Sequence, residues 1–164
     1  MSTRTRSFGH RPRKAPRPAG SLHLIDLENH TSGSRATVDE VAAAVSRYRR
    51  AITVTPVDHV VIATGPTLAP VAVFAWPGSR FLLGRGLDGA DDALIGWADD
   101  RDRIAHRYHD IYIASGDHRF ADLAADLTGR GAHTIAVATA RSLSARLAQA
   151  TSEYIILNDT PQAA

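Results

Sequence analysis

The sequence predicts an α/β protein, a three-layer α/β/α sandwich around a mostly parallel sheet of five or six strands. Three observations lead there. Short apolar runs alternate with amphipathic stretches over most of the chain, and no internal repeat interrupts them. Runs such as HVVIAT (59–64) are near-continuously apolar, as strands buried on both faces are. Strands separated by helices of about 10–15 residues pair in parallel through right-handed crossovers.

The elements follow in order. LHLID (22–26) is the first strand. Thr37-Val38-Asp39-Glu40 reads as a capping box, in which Thr37 accepts from the Glu40 amide while Glu40 reaches back. The helix it opens runs to about Arg50, with Val38, Val41, Ala42, Val45 and Tyr48 on the inner face. HVVIAT is the second strand. A short helix over 67–75 tolerates Pro70 in its first turn, where the missing amide has no intrahelical partner. RFLLG (80–84) is the third strand, and one helix is expected over 89–104 with Ala90, Leu94, Trp97 and Ile104 inward. IYIAS (111–115) is the fourth strand, followed at once by a helix to about Thr128. TIAVA (134–138) is the fifth strand. Ser142 is placed as the cap of a last helix ending at Ala150, and EYIIL (153–157) as a sixth, edge strand. Phe74, Trp76 and Trp97 read as core residues.

The chain has 164 residues, 44% of them hydrophobic, enough for one domain and a tail. It has no cysteine, which excludes a disulfide framework, a thiolate zinc site and a cysteine nucleophile. No apolar run reaches the roughly 18 residues a membrane span needs, and the first twenty residues have no apolar signal region. A cytoplasmic protein is expected. Residues 1–20 carry Arg4, Arg6, Arg11, Arg13, Lys14 and Arg17 and no acid, while the remainder carries 13 basic and 17 acidic side chains. Pro12, Pro16 and Pro18 oppose a helix there. Residues 1–20 are therefore expected to form a disordered basic arm, 21–158 the domain and 159–164 a tail. The arm suits either contact with phosphates or a solubilising leader.

In an open parallel sheet, ligands bind beyond the carboxyl ends of the strands. The first strand ends at Asp26, with Asn29 three residues later. Asp91 and Asp92 open the helix after the third strand, and Asp117 stands at the tip of the fourth. Singly, each has an ordinary explanation: a strand end, a first-turn acid favoured by the helix dipole, an Asx-turn. Together they bring three carboxylates to one edge. Carboxylates gathered without basic partners repel, and a hard divalent cation such as Mg²⁺ or Mn²⁺ resolves this with oxygen ligands and retained waters. Metals so held polarise phosphoryl oxygens and acidify bound water, the chemistry of phosphodiester hydrolysis.

DLEN (26–29), GADDAL (89–94), YIASGDHRF (112–120) and the closing 131–157 resemble the NYN domain family, PIN-like nucleases with a flavodoxin-like core. The resemblance covers about 21–157. The family's opening Asp-x-x-Asn falls on Asp26 and Asn29. Its Lys-Gly-Val-Asp falls on Asp88-Gly89-Ala90-Asp91, and its Ser-Gly-Asp-x-Asp-Phe on Ser115, Gly116, Asp117, His118, Arg119 and Phe120. The resemblance implies a divalent-metal-dependent ribonuclease. Asp26, Asp91 and Asp117 would hold Mg²⁺ or Mn²⁺, Asn29 would orient a ligand or water, and Ser115 would support the Asp117 loop. It makes the glycine-rich loop of Gly84, Gly86 and Gly89 the mouth of the site. Two positions depart from the pattern: Asp88 replaces the lysine, and Arg119 replaces an acid that is a potential metal ligand. RNA is the expected partner, contacted by Arg119, Arg85 and the arm's Arg11, Arg13 and Lys14, with His118 able to relay a proton. A homodimer is compatible. The alternative expectation is a catalytically weakened NYN-fold RNA-binding or regulatory module. A phosphoacceptor domain would need a lysine beside its aspartate, and the sole lysine, Lys14, lies in the arm.

Overall fold

All five residues of LHLID are buried, as the central position of the strand requires. The computed structural model describes residues 20–158. Residues 1–19, including Arg11, Arg13 and Lys14, and the tail at 159–164 lie outside the described residues. The strands are β1 (Leu22–Asp26), β2 (His59–Thr64), β3 (Arg80–Leu83), β4 (Asp110–Ala114), β5 (His133–Thr139) and β6 (Glu153–Leu157). They form one parallel sheet in the order β3-β2-β1-β4-β5-β6. Leu24 lies between Val61 of β2 and Ile113 of β4.

Alternation along β1 splits the core in two. Leu22 and Leu24 face a layer formed by α3 (Gly89–Trp97), α4 (Arg101–Arg107), α5 (Ala121–Gly129) and α6 (Ala145–Ala150). Ile25 faces the layer of α1 (Val38–Ala51) and α2 (Ala69–Ala75). The result is the expected α/β/α sandwich. The chain winds outward from β1 through β2 to β3, then returns to β1's other side as β4. The strand order reverses between β1 and β4, the switch point near which ligands of such sheets bind.

Local chemistry explains where the elements differ from expectation. The capping box forms as read: the Thr37 hydroxyl accepts from the Glu40 amide at 3.3 Å, and Glu40 accepts from the Thr37 amide at 2.6 Å. Val38 and Ala42 of that helix are exposed, and Ala44 is buried in their place. The helix expected over 89–104 is two helices. Asp100 accepts from the Arg103 amide and starts α4, while the Arg101 guanidinium bonds the Ala98 and Ile95 carbonyls that end α3. Ser144, not Ser142, caps α6 by accepting from the Leu147 amide; Ser142 instead pairs with the Thr139 hydroxyl at 2.9 Å. Trp76 is core, Trp97 is half-buried against the core, and Phe74 is 84% exposed. The short helix α2 buries only Ala72 along its length, so Phe74 has no inner face to join.

Candidate functional site

The carboxyl ends of β1 and β4 collect polar groups in a buried setting. Asp26 ends β1 and is 5% exposed. The fully buried Ser115 hydroxyl donates to Asp26 Oδ2 at 3.0 Å, and the Asn29 amide donates to Oδ1 at 3.3 Å. Ser115 Oγ also accepts from the Asp117 amide at 3.2 Å. Asn29 Oδ1 accepts from the Gly116 amide at 2.9 Å. Asn29 and Ser115 thus lace the β1 loop to the β4 loop, with Asp26 at the knot. Asn29 orients Asp26 through its backbone, while its side chain serves the neighbouring loop.

Gly116 is required at that crossing. A Cβ there would stand 2.2 Å from the Ser142 carbonyl oxygen. Gly84 has the same constraint against the start of α3, where a Cβ would fall 2.1 Å from the Gly89 carbonyl carbon. This close approach carries the loop from β3 into α3 and sets Asp91 over the end of β1.

Asp91 and Asp26 line the same pocket, and burial raises both acids. Burial is the first cause for Asp26, opposed by the Ser115 and Asn29 hydrogen bonds. For Asp91, burial and then the charges of Asp26 and Asp117 push the carboxyl up to about 7, with Arg119 pulling the other way. Asp117 joins the same rim electrostatically. Its Oδ1 accepts from the Arg119 amide at 2.9 Å, an Asx-turn, and stands 3.0 Å from His118 Nδ1. His118 is exposed.

Arg119 does not point freely outward. Its guanidinium donates to Asp88 Oδ2 at 2.9 Å and to Asp92 Oδ1, and its Nε is 3.7 Å from Asp91 Oδ2. Asp88 sits at φ 57°, the only non-glycine with positive φ among the described residues. Asp122 is turned away and pairs with Arg146 at 2.7 Å. Arg85 is exposed in the loop above the site.

A pocket of about 440 Å³ opens beside the carboxyl pair, lined among others by Asp26, Asn29, Asp88 and Asp91. It also contains Glu28, which escaped sequence reasoning. Glu28 Oε1 accepts from the Gly65 amide at 2.8 Å, tying the β1 loop to the β2 loop. Nothing in DLEN announces this, because the partner lies 37 residues away. The arginine clamp on Asp88 and Asp92 was likewise invisible from spacing alone.

The donor set bears on metal binding in two ways. Among the described residues, no group of three or more His, Asp or Glu is arranged to hold a metal ion. Asp26 and Asp91 nonetheless form a crowded oxygen pair whose mutual repulsion a hard cation would relieve. Asp26 and Asp91 are the residues that would hold such a cation, with water completing its shell.

No protein-family model matches the chain. No curated protein matches it either. Among solved structures, a protein of unknown function from Vibrio parahaemolyticus matches with a TM-score of 0.59 at 15% identity, covering 90% of this chain and 98% of that one. The likeness is one of fold. No helix among the described residues is long and apolar enough to cross a membrane.

Proposed function

We propose that the protein is a divalent-metal-dependent ribonuclease of the NYN type, acting on RNA phosphodiesters at the carboxyl edge of the sheet. One observation carries the reading: two buried carboxyls, Asp26 and Asp91, line one pocket at the carboxyl end of β1, next to the switch point of the sheet. Asp26 and Asp91 would hold Mg²⁺ or Mn²⁺, with Asp117 as the third acid of the rim. A cation bound there supplies Lewis-acid activation of phosphate and water. Ser115 and the Asn29 amide keep Asp26 aimed outward at the pocket. The loop lacing through Asn29 and Gly116 fixes the separation of β1 and β4 tips, so the carboxylates are pre-positioned and need no rearrangement. His118, exposed beside Asp117, is placed to pass a proton to solvent.

The second reading is an RNA-binding module of the same fold without turnover. The Arg119 clamp favours it, since a guanidinium already neutralises Asp88, Asp92 and part of Asp91. Cleavage of a fluorogenic single-stranded RNA with Mn²⁺ separates the two. The enzyme reading expects cleavage that EDTA abolishes and that Asp26→Asn and Asp91→Asn both lower by at least about 100-fold, because each removes a ligand charge. Equal activity in the wild type and both variants refutes it. RNA binding without cleavage selects the module.

A further inference from the structure

At the opposite edge of the sheet lies a larger pocket, about 610 Å³, lined by residues including His59, Arg80, Trp97, Arg103, Arg107 and Tyr108. It takes in the first half of β2, His59 to Val61, and the rest of that strand, about 10 Å at the usual rise, leads from it to the carboxylate edge. We propose that this pocket binds a nucleoside phosphate, either free or as the phosphorylated end of an RNA.

The charges come first. Arg103 is paired with Asp100 at 3.3 Å, but Arg80 and Arg107 have no carboxylate partner among the described residues. Asp58 is the one acid lining the pocket, and its oxygens are committed elsewhere. Oδ1 accepts from the Ser21 amide and Oδ2 from the Thr55 amide, both at 2.7 Å, and His23 approaches Oδ2 at 3.6 Å. The Arg107 guanidinium lies over the Tyr108 ring at 5.6 Å, which leaves its charge unneutralised; two guanidinia without a carboxylate, facing one concavity, attract a dianion, and their planar forks match phosphate oxygens.

The shape comes next. A phosphate ion alone fills a small part of about 610 Å³, which lies in the range of small-molecule sites. The rest of the wall is aromatic. Trp97 is half-buried and offers its remaining ring surface to the pocket. The Tyr108 hydroxyl is locked at 2.5 Å from His59 Nδ1, so this wall is rigid rather than free to collapse inward. An aromatic base stacking on Trp97 while its phosphate meets Arg80 and Arg107 uses both features.

The chain enters the sheet here: the Gly20 carbonyl accepts from the His109 amide, next to Tyr108. β1 therefore starts at this edge and ends, at Asp26, on the carboxylate edge. The proposal is independent of the ribonuclease reading, because no residue of the carboxylate pair touches this pocket.

The test is a titration of the full chain with AMP, inorganic phosphate, and a short RNA bearing either a 5′-phosphate or a 5′-hydroxyl. Binding is read by calorimetry and by quenching of Trp97 in a Trp76→Phe background. AMP is expected to bind more tightly than phosphate and to quench Trp97. Arg80→Ala with Arg107→Ala should weaken AMP by at least about tenfold, since each loses a charge-assisted contact. Both arginines are exposed, so folding should survive, and Asp91→Asn should bind AMP as the wild type does. Displacement of AMP by the 5′-phosphorylated RNA and not by its 5′-hydroxyl counterpart assigns the site to an RNA end; binding of AMP alone assigns it to a free nucleotide. Unchanged AMP affinity in the double arginine variant, or no AMP binding in the wild type, overturns the proposal.

Discussion

Asp91→Asn is the most informative perturbation, because the structure assigns Asp91 a cost that depends on pH. Its carboxyl is pushed from 3.8 to about 7, first by burial and then by the charges of Asp26 and Asp117. As pH rises from 3.8 to about 7, the unfolded chain has lost a proton that the folded chain still holds. Stability therefore falls through that window, and the whole loss is present above about pH 7. At about 1.4 kcal/mol for each pKa unit, the full linkage is about 4 kcal/mol. The carboxyl lines an open pocket, so solvent screening takes about half and leaves about 2 kcal/mol. Asparagine keeps the shape and can donate to Asp26, but it does not ionise. In urea unfolding the variant should come nearest the wild type below about pH 3.8 and exceed it by about 2 kcal/mol more near pH 8. Adding Mn²⁺ at pH 8 should raise the wild-type midpoint and leave the variant's nearly unmoved, because a ligand stabilises only a state that binds it. A stability gap that stays constant across pH, or an equal Mn²⁺ response in both proteins, would refute the crowding of these two acids and their role as the cation pair.

Two further outcomes follow from the same geometry. Arg119→Gln removes the cation beside Asp88, Asp91 and Asp92, so calorimetry should show tighter Mn²⁺ binding than in the wild type; weaker binding would mean that the guanidinium organises the site and does not compete for it. Burial, reinforced by Arg47 and only partly offset by the Ala114 backbone, lowers His30 from 6.5 to about 4. The depressed histidine supports the fold above about pH 6.5 and loses about 3 kcal/mol as pH falls to about 4, so wild-type stability relative to His30→Gln should decline over that window in urea titrations.

The four inner strands were legible because a strand buried on both faces must be written as an apolar run whatever its neighbours are. The start of α1 was legible for a different reason: Thr37 and Glu40 satisfy each other's backbone within one turn. Misreadings arose where a local choice competed with another of equal appeal. Ser142 and Ser144 are both plausible caps, and only the Thr139 hydroxyl, which engages Ser142, leaves the helix to Ser144. The periodicity of 89–104 concealed Asp100 and Arg101, which end one helix and begin the next.

The sequence by itself determined the α/β class, the parallel strands and the placing of acids at strand ends, since periodicity and caps act within a few residues along the chain. Which acids meet was decided only by the tertiary structure. Asp26 and Asp91 come together because the loop at Gly84 packs backbone against backbone on the start of α3. Arg119 reaches Asp88 across a separation of 31 residues, and Glu28 reaches Gly65 across 37. The pocket of Arg80, Arg103 and Arg107 gathers residues from two strands and two helices at an edge that no motif marks. Hydrogen bonds and charge depend on distance in space, and sequence spacing constrains that distance only over a turn or a strand.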